Sequence, residues 1–333
     1  MAELDDTKLT LLDWQKRQDP NGMVAQIVEM MAQKNEILMD IPWTESNEAT
    51  SHMVTTRTSL PTGTYRRLNE GVSSSKSTTA QFRETLAMLE DYSKVDKAVM
   101  NLNGNAAAFR ASEDSAFLEG LAQTVANRLF YGNSLLAPEE FDGLSPRYNA
   151  LSGIENAENI INGGGSGTDN TSLWLIGWAP RTIHGIFPKG GQGGLQANDL
   201  GEDTLIDANG REFQGFRTHF KWDHGVAVED WRYAVRLCNI DLSDIATAGD
   251  SSYSGINLIN KMIDMISLMH STSDCTPVFY CNRKIKAALD KLATNKANLA
   301  LSFEMFAGKP VTMFQSIPIR RCDALLNTEA VVA

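Results

Sequence analysis

The chain has little of what most catalytic and binding chemistry is built from. Only four cysteines occur in 333 residues, at Cys238, Cys275, Cys281 and Cys322, with no C-x-x-C pair and no histidine at zinc-ligand spacing. Thiols scattered in this way suit a reducing cytosol better than a secreted disulfide framework. Neither an H-E-x-x-H helix nor a G-x-S-x-G nucleophile elbow is present. Basic charge is also short, with 30 Lys and Arg against 41 Asp and Glu and a formal net charge of −11. Gripping nucleic-acid phosphates takes a basic surplus, because Lys and Arg displace counterions. The balance therefore points away from a general DNA-binding protein, whereas it leaves open a wall that encloses DNA without sequence-specific binding. Long apolar runs are missing too, since residues 173–178 and 256–269 are too short or too polar to span a bilayer. No basic-then-apolar leader opens the chain. The expectation is a protein of the cytosol, or of something assembled there, with no membrane, cofactor or metal and no enzyme activity.

Two glycine clusters invite comparison with phosphate loops: Gly163-Gly164-Gly165-Ser166-Gly167 and residues 190–194. Neither has the Walker or Rossmann spacing, and neither sits between a strand and a helix. Both read as flexible surface loops. His219 and His224 flank Asp223, so a metal-dependent enzyme is a distant alternative. Against it, the alternation puts His219 on the polar face of a strand and His224 in a turn. Cys238 and Cys322 lie in apolar-patterned strands, where a free thiol is a small core residue.

What is present is a definite order of elements. Val24, Ile27, Val28 and Met31 repeat at helical spacing after an Asp19-Pro20-Asn21-Gly22 turn. Residues 52–79 then turn to Ser, Thr, Gly, Arg and Lys, with Leu60 and Tyr65 among isolated apolar points. Such a segment cannot bury a core of its own, leaving a floppy loop or an extended hairpin ordered against a neighbouring subunit. Arg66 and Arg67 in it fit intersubunit ion pairs with the acidic surplus elsewhere, and Tyr65 and Leu60 fit contacts beside them. Phe82, Leu86, Leu89 and Tyr92 follow at helical intervals. Next comes the strongest helix, capped at Ser112, with Phe117, Leu118, Leu121, Val125, Leu129 and Phe130 on one face and Gly132 as its stop.

A β-rich block follows. Residues 173–178 read as a buried strand, and alternation in 216–222 and 231–237 around Asp223-His224-Gly225 predicts an antiparallel pair. Helices are expected over 256–269 and after an Asn282 cap, with closing strands at the C-terminal end. The class is α+β.

In this order, the stretches Leu129-Phe130-Tyr131-Gly132-Asn133, Glu140-Phe141-Asp142-Gly143-Leu144, Val278-Phe279-Tyr280-Cys281-Asn282, Phe306-Ala307-Gly308-Lys309-Pro310-Val311, Ile317-Pro318-Ile319 and Cys322-Asp323-Ala324-Leu325-Leu326 resemble the HK97-like major capsid proteins of tailed bacteriophages. The resemblance covers most of the chain in layout and about a third in recognisable residues. It implies an N-terminal arm over 1–50, an extended E-loop over 51–80 and a peripheral domain over 81–145, with a spine helix near 112–132. An axial domain over 146–300, with a β-rich insertion or permuted strands near 171–240, and a peripheral return over 301–333 complete the layout. It further implies self-assembly into hexamers and pentamers of an icosahedral shell around double-stranded DNA. A separate scaffolding protein, a portal and a cement protein are the implied partners, and the virion is the implied location. An encapsulin-like nanocompartment shell is the alternative within the fold.

Overall fold

The computed structural model describes residues 32–101, 106–207, 209–245, 257–293, 301–306 and 309–333. The N-terminal turn and the helix expected around Val24 to Met31 lie outside them. From the N-terminal side the elements are α1 (Ile37–Asp40), β1 (Trp43–Glu45), β2 (Ser51–Ser59), β3 (Thr78–Thr85), β4 (Ala87–Asp96), α2 (Lys97–Asn101), α3 (Ala106–Tyr131) and α4 (Leu144–Arg147). The middle holds β5 (Ile160–Asn162), β6 (Asn170–Trp178), β7 (Ile183–Phe187), β8 (Gln196–Ile206), β9 (Glu212–Val228) and β10 (Ala234–Asp241). It is followed by α5 (Leu242–Ile245), α6 (Leu258–Leu268), β11 (Thr276–Cys281), α7 (Arg283–Ala293), β12 (Leu301–Phe306), β13 (Lys309–Phe314) and β14 (Ile317–Arg321).

Strand β6 organises the core. All nine of its residues are buried, as a near-continuous apolar strand covered on both faces should be. It pairs antiparallel with β10 on one side and with β11 on the other. Because side chains alternate along a strand, Trp174, Ile176 and Trp178 enter one cluster and Leu173 and Leu175 a second. The first cluster takes Val125, Ala126, Leu129 and Phe130 from the C-terminal half of α3. The second takes Met262 and Met265 from α6 and Ile285 and Leu289 from α7. The result is helix on sheet on helices, each layer burying the apolar stripe of the next.

The long helix is present and begins earlier than its cap signal. It starts at Ala106, so Ser112 lies inside it, where strong helix formers at Ala106, Ala107 and Ala108 extend the turn pattern upstream. At about 1.5 Å per residue its 26 residues span roughly 39 Å. Leu118, expected on the apolar face, is 37% exposed.

Three expectations are corrected. The residues from Phe82 to Tyr92 are not helical, because β3 pairs with β2 and β4 runs in register along β9 from Ala87↔His224 to Asp96↔Gly215. The pair expected between residues 216–222 and 231–237 does not form either. β9 runs unbroken through Asp223-His224-Gly225 and pairs with β4, β8 and β7, whereas β10 pairs with β5 and β6. Gly225 serves close packing here rather than a turn, since a Cβ on it would lie 2.7 Å from the Thr85 carbonyl oxygen. The reversal comes later, where the Asp230 side chain accepts the Arg232 amide and caps the short 3-10 turn Trp231–Tyr233. Third, the Gly163–Gly167 stretch is pinned rather than loose. The amides of Gly163 and Gly165 donate to the carbonyls of Cys238 and Asn239, both at 2.8 Å.

Cys238 and Cys322 are fully buried, as expected of core thiols, and burial pushes both thiols up, Cys322 to about 12.

Candidate assembly surface and hairpin root

Strands β2 and β3 form a two-stranded sheet separate from the rest, paired from Ser51↔Thr85 to Ser59↔Thr78. Between them residues 60–77 carry no regular pairing and every one is exposed. Of the two readings open for this segment, the structure has elements of both: paired strands at the base and an unpaired, exposed stretch over 60–77. The tip of the hairpin holds Leu60 (71% exposed), Tyr65 (109%), Leu68 (90%) and Val72 (52%), apolar surface that the described residues do not cover. Among the described residues, Arg66 reaches only the Glu70 carbonyl, at 3.4 Å. Over residues 57–76, Arg57, Arg66, Arg67 and Lys76 against Glu70 leave a net charge of +3, so the remainder of the chain carries −14.

The hairpin is fastened at its root. Glu84, on β3 and 4% exposed, accepts two hydrogen bonds from the Arg147 guanidinium at 2.6 and 2.5 Å. Arg147 also donates to the carbonyls of Asp142 (3.0 Å) and Gly143 (3.2 Å), so one side chain joins the hairpin to the exit of α3. That exit is shaped by two glycines. Gly132 ends the helix with its amide on the Arg128 carbonyl (2.9 Å), and the Gly143 amide then donates to the Gly132 carbonyl (2.9 Å). A Cβ on Gly143 would sit 2.6 Å from the Arg128 carbonyl oxygen, so no other residue fits there.

Opposite Glu84 in register stands His52 on β2. Its Nε2 lies 3.6 Å from Glu229 Oε1, and its Nδ1 accepts the Asn47 amide at 3.3 Å. The His52 ring meets that of His184 edge to face at 5.7 Å. His184 is on β7, and Glu229 follows β9 with its amide on the Thr182 carbonyl (2.8 Å). Burial, with the nearby His52 adding to it, holds the His184 imidazole down at about 4.

His219 and His224, the pair considered for metal, are not brought together. Five residues apart on one strand, they face opposite sides of the sheet. His219 stacks on Tyr92 at 4.4 Å and meets Glu90 Oε2 at 3.1 Å. His224 is not in a turn but buried, with its Nδ1 on the Trp222 carbonyl (3.0 Å) and its ring against Phe141.

The last residues return to the core. Glu329 bridges to Asn170, and its carboxylate accepts from buried Arg236 (2.8 Å), from the Ser172 hydroxyl and from the Tyr131 hydroxyl at the end of α3. Sequence reading found the terminal segment but not this network. Arg147, Glu84, Arg236, His184 and Glu229 carry no local signal, because each partner is distant in sequence.

A hairpin set apart from the main sheet, a 26-residue helix leaving through paired glycines and a terminal return to the central sheet are the marks of this chain. Residues 19–333 match the family described as major capsid protein GP7. The chain belongs to that family. A structure of bacteriophage Epsilon15 is 38% identical, covering 100% of this chain and 99% of its own, with a TM-score of 0.76. The bacteriophage JBD30 capsid is 10% identical over 89% of this chain and 92% of its own, with a TM-score of 0.53. An encapsulin complex from Synechococcus elongatus is 11% identical over 69% of this chain and 95% of its own, with a TM-score of 0.45. No curated protein matches the chain. The fold is thus the HK97-like capsid fold, and the family is one of structural proteins that self-associate as the shell of a virion.

Proposed function

We propose that the chain forms hexamers and pentamers of an icosahedral shell that encloses double-stranded DNA, with the β2–β3 hairpin lying over a neighbouring subunit. The observation that carries this reading is the hairpin, whose tip is cationic and apolar and is left uncovered by the described residues of an otherwise acidic chain. Arg66 and Arg67 reach carboxylates of the next subunit, while Tyr65 and Leu60 lose water against it. Single exposed pairs contribute about 0–1 kcal/mol, yet the same contact repeated around a closed shell is decisive collectively. In this layout residues 1–50 are the N-terminal arm, 51–80 the E-loop, 81–145 and 301–333 the peripheral domain and 146–300 the axial domain. The α3 helix is the spine. Assembly takes place in the host cytoplasm, with a separate scaffolding protein, a portal and a cement protein as partners. The family match favours this virion shell over a cellular nanocompartment.

Negative-stain microscopy of the overexpressed chain, alone and with the charge reversals Arg66→Glu and Arg67→Glu combined, tests the proposal. Shells or capsomers are expected from the native sequence, with at least a tenfold loss of assembled particles in the variant at unchanged circular dichroism. Equal assembly by both would remove the hairpin from the interface. A strictly monomeric native chain, with or without scaffold, would overturn the shell reading itself.

A further inference from the structure

We propose that His52, His184 and Glu229 form a site for a divalent cation of the zinc class that staples the root of the projecting hairpin to the central sheet. Each residue offers one ligand atom, and these atoms all lie within 4.8 Å of one another. They come from three separate pieces of chain. His52 belongs to the hairpin, His184 to β7 and Glu229 to the segment leaving β9. An ion held by all three would therefore add a second tie between the hairpin and the body, beside the Glu84–Arg147 pair on the facing strand.

The chemistry of the donors selects the ion. Two imidazoles and one carboxylate are a common zinc set, with a water completing the tetrahedron, and they suit magnesium or calcium poorly. Ligands ~2.0–2.1 Å from zinc stand roughly 3.3 Å apart, so the 3.6 Å between His52 Nε2 and Glu229 Oε1 is already close to the required spacing. A second observation points independently to a missing partner. His184 is 1% exposed, yet its Nδ1 is buried with no hydrogen-bond partner among the described residues. Burial also keeps that ring neutral, the form in which imidazole binds metal. Ligation through His52 Nε2 moves its proton to Nδ1 and displaces the long 3.3 Å contact from the Asn47 amide. The side chains of His52 and Glu229 are 13% and 27% exposed, which gives the ion an entry path from the surface.

The test uses the purified full chain, stripped with chelator, dialysed against Zn2+ and assayed by elemental analysis and thermal melting. One zinc per chain is expected, with a rise in Tm of about 3 °C or more when free Zn2+ exceeds Kd a hundredfold. Co2+ in its place should show the visible absorption of a four-coordinate nitrogen and oxygen site, a readout that needs no variant. His184→Ala should lose the zinc. His52→Gln, at the partly exposed ligand, should lose it while melting like the metal-free native chain, which covers the case in which the buried variant misfolds. Less than about a tenth of an equivalent bound by the native chain would overturn the proposal. So would zinc retained in full by His52→Gln, since the ion would then sit elsewhere.

Discussion

Replacing Arg147 by Met tests whether the hairpin root is fastened as its geometry implies. Met keeps much of the apolar stem and removes the guanidinium. Glu84 would then lose both short bonds and keep only the Val228 amide at 3.5 Å, while the Asp142 and Gly143 carbonyls would lose a donor. Removing one partner of a buried pair costs about 3–5 kcal/mol, because the remaining charge is left without compensation in a poorly solvated site. The Arg147 side chain is 19% exposed, and water entering the gap will hydrate Glu84 in part, which places the expected loss near the lower bound, about 3 kcal/mol. Adding Glu84→Gln should recover more than half of that loss, since the second change removes the stranded charge. Equilibrium urea unfolding of the unassembled chain, followed by tryptophan fluorescence, measures both values. Hydrogen exchange should localise the effect to β2, β3 and the exit of α3. A loss below about 1 kcal/mol for Arg147→Met, or a double variant no more stable than the single, would refute the reasoning.

Two further outcomes follow from the same packing. Gly143→Ala should destabilise by about 2–4 kcal/mol, because its Cβ would meet only backbone, the Arg128 carbonyl oxygen at 2.6 Å and the Phe130 carbonyl at 2.9 Å. Gly120→Ala is the control, an exposed position of α3 with nothing within 4 Å, and should be neutral or stabilising by up to about 1 kcal/mol in the same unfolding assay. Burial holds His224 down at about 4, against an ordinary value near 6.5, only partly offset by its bond to the Trp222 carbonyl. The unfolded chain therefore binds the extra proton first, and stability is lost as pH falls from about 6.5 to about 4, by up to about 3 kcal/mol from this residue. His224→Phe should flatten that part of the pH–stability curve, and superimposable curves for variant and native chain would count against it.

What the sequence by itself determined are the features whose cause is local. Burial of β6 is legible in the apolar run Leu173 to Trp178, the spine helix in the spacing of Leu121, Val125 and Leu129, and its end in Gly132. That residues 52–79 have too few apolar side chains to fold on themselves was legible in composition, though not whether they form a loop or a hairpin, and the order of these pieces pointed to the capsid fold. Tertiary structure alone decided who pairs with whom. Phe82, Leu86, Leu89 and Tyr92 sit at helical intervals, yet β4 is a strand because β9 offers a ladder ten residues long beside it. His224-Gly225 looks like a turn, yet the close approach of Thr85 requires a glycine inside an unbroken strand. The ligand set at the hairpin root was illegible for the same reason. Residues 52, 184 and 229 have no common period or motif, and only strand register brings His52, His184 and Glu229 within 4.8 Å. Backbone propensity acts over a few residues, whereas register, close approach and shared ligands are set by contacts that exist only once the chain has folded.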